Sequence, residues 1–325
     1  MTALAPAPDP ASVSTVTRTA AVQAHDVVRR YRSGRGVGPI DLEVFDGETV
    51  ALMGRNGCGK TTLLRVLATV SRPQTGAVRW WGAGASVARL RLGLALDGAL
   101  EDTGLTGRQA THFWCAQWVD DRGDVAARTE AVLNRLGLAA AADDRVGTYS
   151  YGMRRRLALA AALVHRPALA LLDEPTAGLD PDGSVELELL IRERAAGGRC
   201  TLVASNDPRF VEAVADRVAI IDEGLLVRCA SPSDLLAALP KGRMAELVVD
   251  GGCDLAALSA VPGVLDLSTD DHTALQVRFE GDRTIAALVA AADAPGGRLR
   301  ELRLRRPDLA DCFRDVTGHI LEARP

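Results

Sequence analysis

Apolar and polar residues alternate loosely from Ala21 to Val28 and again from Val37 to Val44, on either side of the turn Ser33-Gly34-Arg35-Gly36. This pattern predicts two short antiparallel strands. Two mainly apolar runs, Thr49-Val50-Ala51-Leu52-Met53 and Ala168-Leu169-Ala170-Leu171-Leu172, have the texture of strands buried on both faces. Between them lie a helical pattern at Leu63–Leu67, a turn at Ser71–Gly76, strand-like residues 77–81, and a short apolar strand from Leu90 to Leu96 that ends at Asp97. From there to about Thr148 the period becomes helical, in Leu105 to Val119 and Val125 to Leu136. Residues 98–150 therefore read as a helical subdomain inserted into an α/β core. Further on come Thr201–Asp207, a hairpin over Ala219–Val227 and a helix capped by Ser231. After the linker Pro240-Lys241-Gly242, strands near 246–250, 264–268, 274–280 and 298–305 and helices near 254–260 and 283–292 precede a last helix from Pro307. That is a small α+β domain of roughly ferredoxin-like order.

Three regions follow: a disordered tail over 1–20, a large domain over 21–239, and a small accessory domain over 240–325. The tail is rich in Ala, Pro, Ser and Thr and lacks the basic and apolar regions of a signal peptide. No apolar run reaches about 18 residues, so the chain is expected not to span a membrane by itself. Its 325 residues, 47% hydrophobic and 25% charged with a formal net charge of −4, describe a globular chain without the basic bias of a nucleic-acid binder. The six cysteines show no metal-ligand spacing, which argues for reduced thiols in a cytosol.

Candidate chemistry begins after the first buried run, at Gly54-Arg55-Asn56-Gly57-Cys58-Gly59-Lys60-Thr61-Thr62. This is a P-loop in its required strand–loop–helix context. Glycines let the backbone turn its N–H groups inward, and with the helix N-terminus these form a cradle for phosphate oxygens. Lys60 is expected to reach the β- and γ-phosphates and Thr61 to place its hydroxyl on Mg²⁺. Only two of the 38 basic residues are lysines, Lys60 and Lys241, and one of them sits where a compact ammonium is needed. Cys58 is either a thiol activated by the loop's N–H groups or a small residue that fits. Tyr31 either stacks on an adenine ring or half buries in the hairpin. Phe113, Trp114 and Trp118 either pack in the core or form a surface for a partner helix.

Ser150 and Gly152 stand just ahead of the arginine-rich helix Arg154–Leu163, where they can cap it and offer groups to an anion. The second buried run ends in the adjacent acids Asp173 and Glu174. Strand alternation directs one toward Mg²⁺ and the other toward the water that attacks a γ-phosphate.

The order P-loop, Ser-x-Gly before an Arg-rich helix, Asp173-Glu174-Pro175-Thr176 and Gly178-Leu179-Asp180 resembles the nucleotide-binding subunit of an ABC transporter over about residues 22 to 235. The tail Arg306 to Gly318 is similar to that of ATPases in the ABC-2, daunorubicin-resistance-like exporter group. The resemblance implies a P-loop NTPase core with an antiparallel β subdomain, and MgATP with Mg²⁺ ligated by Thr61 and Asp173. It implies Glu174 as general base, and a homo- or heterodimer in which Ser150 and Gly152 of one subunit complete the ATP site of the other, with Asp180 at that interface. It implies an integral membrane permease as partner, and a place on the cytoplasmic face of the membrane.

Two residues depart from the pattern. Asp97 stands where the family usually has Gln beside the metal and attacking water, and Asn206 where it has the switch His. Asn donates a hydrogen bond but carries no charge to a transition state, so ATP binding is expected intact and hydrolysis slowed by roughly one to three orders of magnitude. The alternative is that Glu174 and Lys60 suffice and Asn206 is tolerated. A regulatory or degenerate cassette, half of a heterodimer or an immunity protein, is the competing function. The basic strand Arg298–Arg306 reads as a solvated or dimer-facing edge, or as a surface for anionic lipid.

Overall fold

A computed structural model describes residues 19–96, 104–250, 253–269, 274–293 and 298–321. Asp97, expected beside the metal and the attacking water, lies outside the described residues. The chain forms two compact units. One contains the described residues up to Thr49 together with Thr61–Val203; the other contains Val50–Lys60 and the residues from Ala204 onward.

In the first unit, Ala20–Arg30 pairs antiparallel with Gly36–Phe45, as the alternation predicts, and on its other edge with Thr75–Trp80. The inward residues Val22, Val27, Ile40 and Val44 are fully buried. Leu169–Asp173 is buried at every position and runs parallel to Leu92–Ala95. The strand expected over Leu90–Leu96 is thus shorter, because helix Ala85–Arg89 ends only just before it. The helix-rich segment starts each of its α-helices with a side-chain cap: Thr106 for Gly107–Cys115, Asp121 for Arg122–Arg135, and Ser150 for Tyr151–Leu163. Each cap accepts a hydrogen bond from a main-chain N–H that the first turn leaves without a partner. Ala110, Leu133, Leu138, Val146, Tyr149 and Leu157 form this segment's own core.

Phe113, Trp114 and Trp118 are not part of that core. They are 52%, 37% and 39% exposed, which favours the surface reading over core packing. Phe113 and Trp114 meet edge to face, and Trp118 stacks on His165 with ring centres 4.4 Å apart.

In the second unit, the strand leading into the P-loop runs parallel to Arg217–Asp222, which turns back antiparallel into Leu225–Ala230. Beyond residue 240 the order is βαββαβ. The four strands lie antiparallel with Arg243–Asp250 and Ala274–Phe279 central, and Val264–Thr269 and Arg298–Arg305 at the edges. Leu247, Val277, Phe279 and Leu288 pack their shared core. On the basic edge strand, Arg300 meets Asp250, Arg303 meets Glu301 and Arg305 meets Glu246. These pairings offset much of its charge, which weakens the lipid reading. The last helix, Leu309–Thr317, starts at a capping box of Asp308 and Asp311, and Arg305 grips Asp311 with two hydrogen bonds. No helix among the described residues is long and apolar enough to cross a membrane.

Candidate functional site

The buried strand Thr49–Met53 delivers the chain into a loop whose shape depends on glycine at two points. Gly57 and Gly59 have φ of 83° and 111°, in the left-handed region that other residues avoid. Gly54 needs its missing side chain for a different reason: an added Cβ would lie 2.2 Å from the Ile221 carbonyl oxygen. Lys60 opens the following helix, Lys60–Leu67, and is only 6% exposed. Its ammonium donates to the carbonyls of Gly54 and Arg55. A buried ammonium held by neutral main-chain oxygens suits a loop that receives an anion.

Cys58 is 7% exposed. Burial pushes its thiol above the ordinary value, and the opposing attraction of Lys60 does not cancel that effect. Burial thus favours the reading in which this cysteine simply fits the loop over the one in which the loop activates its thiol. Iodoacetamide at pH 8 is expected to label Cys58 more than about tenfold slower than a free thiol, as read by peptide mass spectrometry. Labelling at the free-thiol rate would contradict this placement.

Asn206 belongs to the same unit as the loop and is 3% exposed. Its side-chain oxygen accepts from the Gly54 N–H at 3.4 Å. Ser205 donates its N–H to Leu52, which holds the segment against the P-loop strand.

In the other unit, the Thr61 hydroxyl donates to the Asp173 carboxylate at 2.7 Å. Asp173 ends a fully buried strand and is itself buried. A hydroxyl and a carboxylate so placed are the hard oxygen donors that Mg²⁺ takes, through few protein ligands and the substrate's phosphates. The residues thus fit MgATP, with Thr61 and Asp173 able to hold the metal.

Glu174 follows in the left-handed region at φ 46°, a conformation that costs a non-glycine residue about 1–2 kcal/mol. Arg155, 9% exposed, donates from Nη2 to the Glu174 carbonyl oxygen and, at 3.4 Å, to that of Asp173. Its Nη1 donates to the Tyr151 hydroxyl at 2.8 Å. Sequence reading missed Arg155 as a positioning residue. The available signal was the i, i+4 spacing of Tyr151 and Arg155 on one helix face.

Ser150 is exposed and accepts from the Met153 N–H, and Asp180 is exposed and accepts from Gly183. Gly152, in the first turn of its helix, lies against the Gly178 turn, where an added Cβ would lie 2.6 Å from the Gly178 carbonyl oxygen. Gly152→Ala is expected to lower stability by about 1–3 kcal/mol, because main chain must move on main chain. Denaturant unfolding reads this, and an unchanged midpoint would contradict it. Tyr31 is 38% exposed with Arg29 over its ring. Burial raises the pKa of its hydroxyl, but bonds to Thr62, Arg65 and Arg29 outweigh this and leave it below the usual phenol value.

A P-loop opening a helix, a hydroxyl paired to a buried strand-end carboxylate, and a second acid beside it are the parts of a P-loop NTPase. A profile of the ABC transporter family matches residues 37–177. The chain belongs to this family, in the group of daunorubicin-resistance-type ATP-binding proteins. It is 35% identical to the daunorubicin resistance ATP-binding protein DrrA2 of Streptomyces coeruleorubidus, over 93% of this chain and 96% of the relative. It is 27% identical to the linearmycin resistance ATP-binding protein LnrL of Bacillus subtilis (strain 168), over 92% and 99%. The solved structure of cbiO1 from Clostridium perfringens, part of the ABC transporter complex cbiONQ, is 25% identical, with a TM-score of 0.58 over 68% of this chain and 92% of that one.

Proposed function

We propose that this chain hydrolyses ATP to drive export through a separate membrane permease, as a peripheral subunit on the cytoplasmic face. The observation that carries the chemistry is the Thr61–Asp173 pair at 2.7 Å. The relatives named for daunorubicin and linearmycin resistance match nearly the whole chain, which supports export over import. Bound Mg²⁺ supplies Lewis-acid stabilisation of the phosphate oxygens. Lys60 and the loop N–H groups hold the phosphates, Tyr31 stacks on adenine, and Glu174 orients water and takes its proton. The main chain that carries Glu174 is held by Arg155. Residues 21–239 form the ATPase domain, and residues 240–325 an accessory one.

Ser150 and Gly152 complete the ATP site of a second cassette, with Asp180 at that interface; the exposure of Ser150 and Asp180 supports this. The exposed Phe113, Trp114 and Trp118 offer the permease an apolar contact. If this reading holds, Glu174→Gln protein doubles in mass on light scattering when MgATP is added. It also retains a multi-span membrane protein in affinity capture from membranes. Unchanged mass together with capture of no membrane protein would sink it.

The bond from Gly54 to Asn206 favours a second reading, in which hydrolysis is slow because the switch position holds a neutral side chain bound to the loop. On that reading Asn206→His raises steady-state turnover by about tenfold to a thousandfold. Equal rates would show that Asn206 is a tolerated variation.

A further inference from the structure

A second cationic site lies within the first unit. A cavity of about 230 Å³ opens where helix Arg122–Arg135 of the helical segment meets helices Tyr151–Leu163 and Pro181–Ala196. Five of its eleven lining residues are arginines, 128, 135, 166, 194 and 199, and one, Glu193, is acidic. The acids nearby are already engaged. Glu193 accepts two hydrogen bonds from Arg135, which also binds Glu186 at 2.5 Å. Asp124 pairs with Arg128 at 2.6 Å.

None of Arg166, Arg194 and Arg199 forms a close ion pair among the described residues; Arg166 and Arg199 act on Asp124 and Glu193 only from farther off, and those acids are already bonded to Arg128 and Arg135. Arg194 is 3% exposed, and its guanidinium is held only by neutral acceptors: the carbonyls of Pro167 and Cys200 at 3.1 and 3.0 Å, and the Thr201 hydroxyl at 3.3 Å. The Arg199 Nε is buried without a hydrogen-bond partner. Burial, reinforced by the positive charge of Arg199, brings the Arg194 pKa down to about 10. Protein interiors rarely keep an arginine as buried as Arg194 without an anion, and the exposed Arg166 and half-buried Arg199 add two further positive charges to the same cavity.

We propose that this cavity binds a small phosphate-bearing dianion. Guanidinium forks match phosphate oxygens in pairs. The cavity walls come from both the helical segment and the core helices, so a bound dianion would tie them together. Nothing in the ATP site is needed for this binding.

The test is a calorimetric titration of inorganic pyrophosphate into the full chain carrying Lys60→Ala, which weakens the P-loop's own claim on the probe. The same titration is then made on Lys60→Ala with Arg166→Ser and Arg199→Ser added. Arg166 is exposed and Arg199 half-buried, so both changes spare the core. Pyrophosphate is expected to bind the first protein and to bind the second at least about tenfold more weakly, because charge-assisted bonds are lost. Arg199→Lys, which keeps the charge, is expected to retain more of the affinity than Arg199→Ser. Equal affinity in the two proteins, or no pyrophosphate binding to the first, would overturn the proposal. Arg199→Lys binding no better than Arg199→Ser would do the same.

Discussion

Glu174→Gln protein binds MgATP within a few-fold of the parent affinity and hydrolyses it about 10²–10⁴-fold more slowly, the range that one general base contributes. Gln keeps the size of the side chain, so the left-handed turn and its hold by Arg155 survive the change. What is lost is the carboxylate proposed to take the proton of the attacking water. Single-turnover phosphate release checks the rate, and a fluorescent ATP analogue checks the affinity. A parallel loss of binding and rate would instead make Glu174 part of the phosphate cradle. Arg155→Lys serves as the companion. It keeps a cation but not the fork that reaches both main-chain carbonyls and the Tyr151 hydroxyl, so the rate constant falls while KM for ATP stays near the parent value. A rise in KM alone would contradict a positioning role.

Lys60→Ala acts on the other half of the chemistry. In the structure its ammonium is buried and bonded to two carbonyls of its own loop, neutral acceptors where a triphosphate would offer anionic oxygens. Bonds to such charged oxygens are worth about 1.5–3 kcal/mol each. Losing two of them lowers ATP affinity by about a hundredfold or more. Equilibrium binding measures this, and turnover at fixed ATP falls with it. A Lys60→Ala protein that binds MgATP like the parent would remove the P-loop from the account.

Much of this is legible in the sequence, for physical reasons. Chemistry at a phosphate demands glycine at set spacings, so Gly54, Gly57 and Gly59 announce a loop whose backbone only glycine can follow or fit. A strand buried on both faces leaves a continuous apolar run, so Leu169–Leu172 identified itself and placed Asp173 at its end. The βαββαβ order beyond residue 240 was equally plain, because each element there is short and bounded by turn residues.

Other features carry no such local mark. The aromatic residues at 113, 114 and 118 have the spacing of a core stripe, and only the fold shows that they face solvent. Cys58 sits among N–H groups that favour a thiolate, yet burial outweighs them. Arg155 looks like one more arginine in a basic helix until its carbonyl partners are seen. The arginine cavity draws on residues from 128 to 199, which no spacing rule would bring together.

ATP hydrolysis by this chain is proposed to use Glu174 as its base. The most direct measurement is phosphate release by the purified chain at saturating ATP, with Mg²⁺ titrated, beside the Glu174→Gln protein. The expected result is turnover that requires Mg²⁺ in the parent and is about 10²–10⁴-fold slower in the variant. Equal phosphate release by the two proteins, or tight ATP binding with no turnover in the parent, would contradict it.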